Sequence, residues 1–237
     1  MSKQPFQFKE FSVQQDQCAM KIGTDGVLLG AWATVKNEFS TLDLGTGTGV
    51  ISLMLAQRSD AEIIDAIEID GPAFEQAVQN FENSPWSDRL FCYHASLQEF
   101  AEEIDDKYDL IISNPPFYTD ANPSENKERS LARFEDAMPF EHLANAAAQL
   151  LTPNGIFSLV IPFKEEATFT EIAKQNNLHL NRVCRVKGTA TSPIKRSLME
   201  FSFEESSIIE ESLTLEISRH HYTDAYKNLV KDFYLKL

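Results

Sequence analysis

Two short stretches of this 237-residue chain combine residue types suited to chemistry on a flat nitrogen. The first is Asn114-Pro115-Pro116-Phe117. Two prolines fix the backbone, so the Asn114 side-chain oxygen and the Pro115 carbonyl can face one point. Both are acceptors, able to take the two N–H bonds of a single –NH2 group. A planar nitrogen held in that way turns its lone pair toward an electrophile, and the work done is orientation and electrostatics. Phe117 can then stack on a base flipped out of its helix. Taken alone, the same four residues also describe a Pro-rich turn closed by an Asx hydrogen bond.

The second stretch is Asp43-Leu44-Gly45-Thr46-Gly47-Thr48-Gly49. Glycines let a backbone bend sharply and approach a ligand where any side chain would collide. Glu68-Ile69-Asp70 closes the next apolar run, with Glu68 19 residues past Gly49. A carboxylate there can accept both ribose hydroxyls of a nucleoside. A dinucleotide wants Gly-x-Gly-x-x-Gly, so that its pyrophosphate meets a helix N-terminus. Here the spacing is Gly-x-Gly-x-Gly, and Asp43 stands just before it. That acid would repel pyrophosphate but suits an amino-acid ammonium or the waters around it. The pattern favours S-adenosylmethionine over NAD. A tight turn without a ligand is the plainer alternative.

Both motifs need strand ends to hold them, and the chain supplies strands and helices in alternation. Strands are expected at 41–44, 63–69, 90–93, 108–113 and 156–161, the second as the continuous apolar run of a strand covered on both faces. Between them, Pro72 suits a first helical position, and Phe74, Ala77, Val78 and Phe81 recur at helical spacing. Leu97, Phe100, Ala101 and Ile104 form a second stripe, and Phe140 to Leu151 a third. Two β-like runs, 178–186 and 197–203, follow with a hairpin-like loop between them, then a strand near 213–217 and a last helix. The order predicts an α/β fold: a doubly wound, mostly parallel seven-stranded sheet with an antiparallel edge pair. The whole chain reads as one domain, with residues 1–35 as an N-terminal lid or edge segment. From Phe117 to Met138 no periodicity appears, and a loop that long is usually functional or mobile.

Composition narrows the classes further. No run reaches the ~18 to 20 apolar residues of a membrane span, and the first residues lack the pattern of a signal peptide. Cys18, Cys92 and Cys184 are too few and too scattered for a disulfide framework or a zinc site, so reduced thiols in a cytoplasmic protein are expected. His220-His221 lacks a third metal ligand, and no metal is expected. His94, at a strand end, reads as a hydrogen-bonded structural residue. The net charge of −15 argues against a broad nucleic-acid binder. It is uneven, however: from Ile172 to Met199 there is no acid, while Lys174, Arg182, Arg185, Lys187, Lys195 and Arg196 occur. Such a segment suits a focused phosphate contact, or equally a guarded strand edge.

The glycine turn and the Asn-Pro-Pro-Phe corner together resemble the amino-methyltransferase group of class I S-adenosylmethionine enzymes. Three further segments narrow the likeness. They are Phe11-Ser12-Val13-Gln14-Gln15-Asp16 with residues 20–32, then Arg196-Ser197-Leu198-Met199-Glu200-Phe201, then Lys231-Asp232-Phe233-Tyr234-Leu235. Over nearly its whole length the chain resembles the bacterial tRNA(Val) adenine-37 N6-methyltransferases. That resemblance implies S-adenosylmethionine as cofactor and an anticodon-loop adenine of tRNA as substrate. It implies that Lys21, Gly23, Thr24 and Asp25 close over the methionine end of the cofactor. Asp43, Gly45 and Gly47 would line it and Glu68 would hold its ribose. Asn114, beside the cofactor, and Phe117 would hold the substrate adenine. Many relatives place an Asp after the third strand for the cofactor's adenine amine; this chain offers Ser96 there.

The long loop with Lys127, Arg129 and Arg133 and the basic segment ending at Arg196 favour an RNA substrate, whose loop bases are open to stacking and edge reading. The alternatives are a protein glutamine methyltransferase using the same grip on a side-chain amide, and a non-catalytic RNA-binding protein. A monomer is expected.

Overall fold

The computed structural model describes residues 4–36, 39–116 and 138–236. Its main sheet begins with β3 (Ser40–Leu44), whose five residues are all buried, as a central parallel strand requires. β4 (Ile63–Glu68) and β5 (Leu90–His94) pair parallel to one side of β3, and β6 (Tyr108–Ser113) pairs parallel to the other. The chain therefore reverses its direction of growth across the sheet between β3 and β6, where a doubly wound fold opens a crevice at the strands' carboxyl ends. Leu44 lies opposite Ser113 in that pairing, and Ser113 Oγ donates to the Leu44 carbonyl at 2.9 Å. The glycine turn and the Asn-Pro-Pro corner are the next residues along each strand.

β7 (Leu151–Pro162) continues parallel to β6. β9 (Ile194–Ser202) runs antiparallel between β7 and β8 (His179–Thr189), joined to β8 by a short turn. β10 (Ile209–Ser218) then adds parallel to β8, and β11 (His221–Tyr222) folds back on it. Among the described residues the sheet thus has nine strands, in the order β11-β10-β8-β9-β7-β6-β3-β4-β5, rather than seven. The antiparallel pair is not at the edge, because the late segment near 213–217 extends the sheet beyond β8 instead of closing it. β1 (Phe6–Gln7) and β2 (Ser12–Val13) form a separate small antiparallel ribbon.

Helices cover both faces. α1 (Thr24–Trp32), α2 (Val50–Arg58), α3 (Gly71–Glu82) and α7 (Asp224–Val230) bury one apolar cluster, including Leu28, Leu53, Phe81 and Val230. α4 (Leu97–Glu103), α5 (Phe140–Leu150) and α6 (Glu166–Gln175) bury the other, including Phe100, Leu143 and Phe169. α3 departs from its expected stripe: Gln76 and Asn80 are buried beside Ala77 and Phe81, while Phe74 and Val78 are only half-buried. After the β1–β2 ribbon the chain crosses α3, and α1 that follows is almost wholly buried against α2.

Candidate active site

The turn after β3 is left-handed at each of its three glycines, with φ of 72°, 57° and 79° at Gly45, Gly47 and Gly49. A side chain would be strained at any of them. At Gly49 a Cβ would also stand 2.5 Å from Phe81 Cε1, so α3 presses directly on the turn. Among the described residues, Gly47 has no atom other than its chain neighbours' within 4 Å of where a Cβ would lie, which leaves the inner lip of the turn open.

Two carboxylates are fixed around that lip. Glu68, at the end of β4, accepts the Gly47 N–H at 2.8 Å with one oxygen and the Asp70 N–H at 2.9 Å with the other. Each oxygen keeps a lone pair for a further donor. Asp43 is 1% exposed and accepts the hydroxyls of Thr46 (2.6 Å) and Ser52 (2.8 Å) on Oδ2. Its Oδ1 is buried with no partner among the described residues. Burial raises the Asp43 carboxyl to about 6; the two hydroxyls oppose that rise, and the Glu68 charge adds to it.

Asn114 is half-buried and Pro115 buried. With Met20, Lys21, Gly23, Thr24, Asp25 and Arg196 they line a cavity of about 420 Å³. Six of the residues singled out from the sequence thus come together: Lys21, Gly23, Thr24, Asp25, Asn114 and Pro115. Asp43, Gly45, Gly47 and Glu68 do not line it; the two glycines form the adjoining turn, and the two acids end the strands beside it. Gly26 joins the two groups, since a Cβ there would lie 3.7 Å from both Asn114 Nδ2 and Val50 Cγ1. Ser96 stands apart as the N-cap of α4. Its hydroxyl accepts the Glu99 N–H while the Glu99 carboxylate accepts the Ser96 N–H, a reciprocal capping box. Phe117 lies outside the described residues, as do Lys127, Arg129 and Arg133.

The basic segment is corrected by the fold. Arg182 pairs with Glu200 and Glu211 and lies 4.1 Å over the Trp32 ring. Arg185 pairs with Glu166 and Glu210, and Arg196 Nε donates to Asp25 Oδ2 at 2.7 Å. Acids distant in sequence therefore oppose three of the six cations. Arg196 belongs to the cavity because it pairs with Pro162 in the β7–β9 register, three residues beyond the Leu159 that faces Ser113. His94 bonds the Ile69 carbonyl at 3.0 Å and stacks on Phe74. The described residues contain no cluster of His, Cys, Asp or Glu able to hold a metal.

A nine-stranded doubly wound sheet with these motifs at its reversal point has the architecture of class I methyltransferases. A predicted O-methyltransferase from Agrobacterium tumefaciens superposes with a TM-score of 0.69 over 88% of this chain and 96% of that one, at 18% identity. A methyltransferase from Pyrococcus furiosus gives 0.53 over 76% and 81%, at 22% identity. In sequence, residues 23–183 match the methyltransferase small domain. The chain is 61% identical, over the full length of both proteins, to the tRNA1(Val) (adenine(37)-N6)-methyltransferase of Christiangramia forsetii. It is 44% identical, again over both full lengths, to the protein of the same name from Bacteroides fragilis. It belongs to the tRNA1(Val) (adenine(37)-N6)-methyltransferase family.

Proposed function

We propose that this chain transfers a methyl group from S-adenosylmethionine to the exocyclic N6 of adenine 37 in tRNA(Val). The observation that carries the reading is the cavity in which Asn114 and Pro115 meet residues 21–25, directly beside the glycine turn. The turn fits the cofactor. Asp43 Oδ1 is a buried acceptor lacking a partner among the described residues and suits a cationic amino-acid end; Glu68, steadied by two backbone amides, suits a ribose diol; the open face of Gly47 leaves room between them. Ser96 retains a lone pair for an adenine amine. When bound, S-adenosylmethionine supplies an electrophilic methyl group on a sulfonium.

The chain's own residues do the rest by holding the substrate. Asn114 Oδ1 and the Pro115 carbonyl accept the two N–H bonds of the adenine amine, which directs its lone pair out of the ring plane. Neither oxygen is a base: the N–C bond forms as the S–C bond breaks, leaving a neutral thioether, and the methylated nitrogen then sheds its proton to solvent as product leaves. Phe117 stacks on the base, and Lys21, Gly23, Thr24 and Asp25 wall the methyl end off from water. Among the described residues no helix is long and apolar enough to cross a membrane, and a tRNA substrate places the work in the cytoplasm. The chain acts as one domain and as a monomer, which light scattering during gel filtration would check.

Incubation with labelled cofactor, tRNA(Val) transcripts and an uncharged glutamine peptide tests the assignment. Label is expected in N6-methyladenosine from the adenine-37 transcript and not in one carrying guanine there. Label in the peptide alone would overturn it.

A further inference from the structure

The two amides buried on α3 do not line the cavity described above, yet Asn80 bonds the glycine turn and both bond the segment leading to the cavity's opposite wall. Asn80, 2% exposed, donates from Nδ2 to the Thr48 carbonyl inside the glycine turn at 2.8 Å and to the Gln14 carbonyl at 2.9 Å. Its Oδ1 accepts the Gln14 N–H at 2.8 Å. One turn earlier on the same helix face, Gln76 is fully buried. It accepts the Gln17 N–H at 2.7 Å and donates to Asp16 at 3.1 Å. The segment so held runs on as a strap: Gln15 Oε1 accepts the Ile22 N–H at 3.0 Å, and Met20, Lys21 and Gly23 line the cavity. Burial, then the Glu68 and Asp70 charges, push the thiol of Cys18 in this strap up to about 12.

We propose that Gln76 and Asn80 are positioning residues for cofactor binding, fixing the span between the glycine turn and the strap that forms the opposite wall. An apolar residue at either position would fill the same space on α3. At position 80 it could not bond backbone groups of the turn and the strap together, and at position 76 it would leave the Gln17 N–H and the Asp16 carboxylate without their partner. The inference rests on the reading that S-adenosylmethionine lies between turn and strap.

The test uses the full chain with Asn80→Ala and Gln76→Ala, measured by calorimetry with S-adenosylhomocysteine and by steady-state transfer to tRNA. Expected for each variant is a rise of about tenfold or more in the cofactor Kd and KM, with kcat and the tRNA KM within about threefold of wild type. Lower kcat with unchanged cofactor Kd would mark a purely structural role and overturn the proposal. Should either variant not fold, amide exchange on the wild type decides. Addition of S-adenosylhomocysteine is expected to slow exchange at Gln14 and Gln17 by about tenfold; unchanged rates overturn the clamp. A wild-type chain that binds no cofactor overturns both this proposal and the function it rests on.

Discussion

At the scale of the residue, Asp43 carries a pH dependence. Its carboxyl is raised by burial from 3.8 to about 6, so in that window the folded chain holds a proton that the unfolded chain has released. Stability from this group accordingly falls as pH rises from about 4 to 6. Cofactor binding runs the other way, since a cation against Oδ1 favours the ionised form. Affinity for S-adenosylhomocysteine is expected to weaken as pH falls below about 6, by up to tenfold per unit. Titration calorimetry between about pH 5 and 8 reads this directly, and a flat profile would remove the ammonium from Oδ1. Asp43, Glu68 and Asn114 stood out in the sequence because their types occur at strand ends beside turn-forming residues. Gln76 and Asn80 did not, because two amides four apart on a helix look like its wet face until the strap is seen to cover them.

At the scale of the element, the glycine turn and the α4 cap give separable expectations. Gly49→Ala imposes φ of 79° on a side chain and drives its Cβ to 2.5 Å from Phe81. A loss of about 3 kcal/mol in denaturant unfolding is expected. Ser96→Asp, in contrast, keeps a good N-cap and adds an ionised acceptor at the start of α4. Stability should hold within about 0.5 kcal/mol, while cofactor binding tightens; tighter binding that fails to appear would take Ser96 out of the cofactor site. The parallel strands β3 to β7 were legible because continuous apolar runs and rim motifs mark them. β10 and β11 were harder to place. Exposed Ile209 and Ile217 and a mixed burial pattern hide which neighbour β10 joins, and its parallel pairing to β8 depends on a connection that sequence does not orient.

At the scale of the whole molecule, the charge of −15 and the ion pairs of Arg182, Arg185 and Arg196 leave little broad basic surface among the described residues. RNA binding should show a shallow salt dependence, and Lys195→Ala should reduce the slope of log K against log salt by about one. Counting charges along the chain could not show this, because the neutralising acids are Asp25, Glu166, Glu200, Glu210 and Glu211, brought in only by folding. The same folding sets Asn114 beside the glycine turn, through a sheet reversal that the alternating element order made legible in advance. The most direct test of that placement is single-turnover transfer by Asn114→Ala to tRNA(Val), with cofactor affinity measured on the same preparation. If the Asn114–Pro115 corner grips the amine, transfer drops by about 10²-fold or more while the cofactor Kd stays within about twofold. A variant that still methylates adenine 37 at more than about a tenth of the wild-type rate would contradict it.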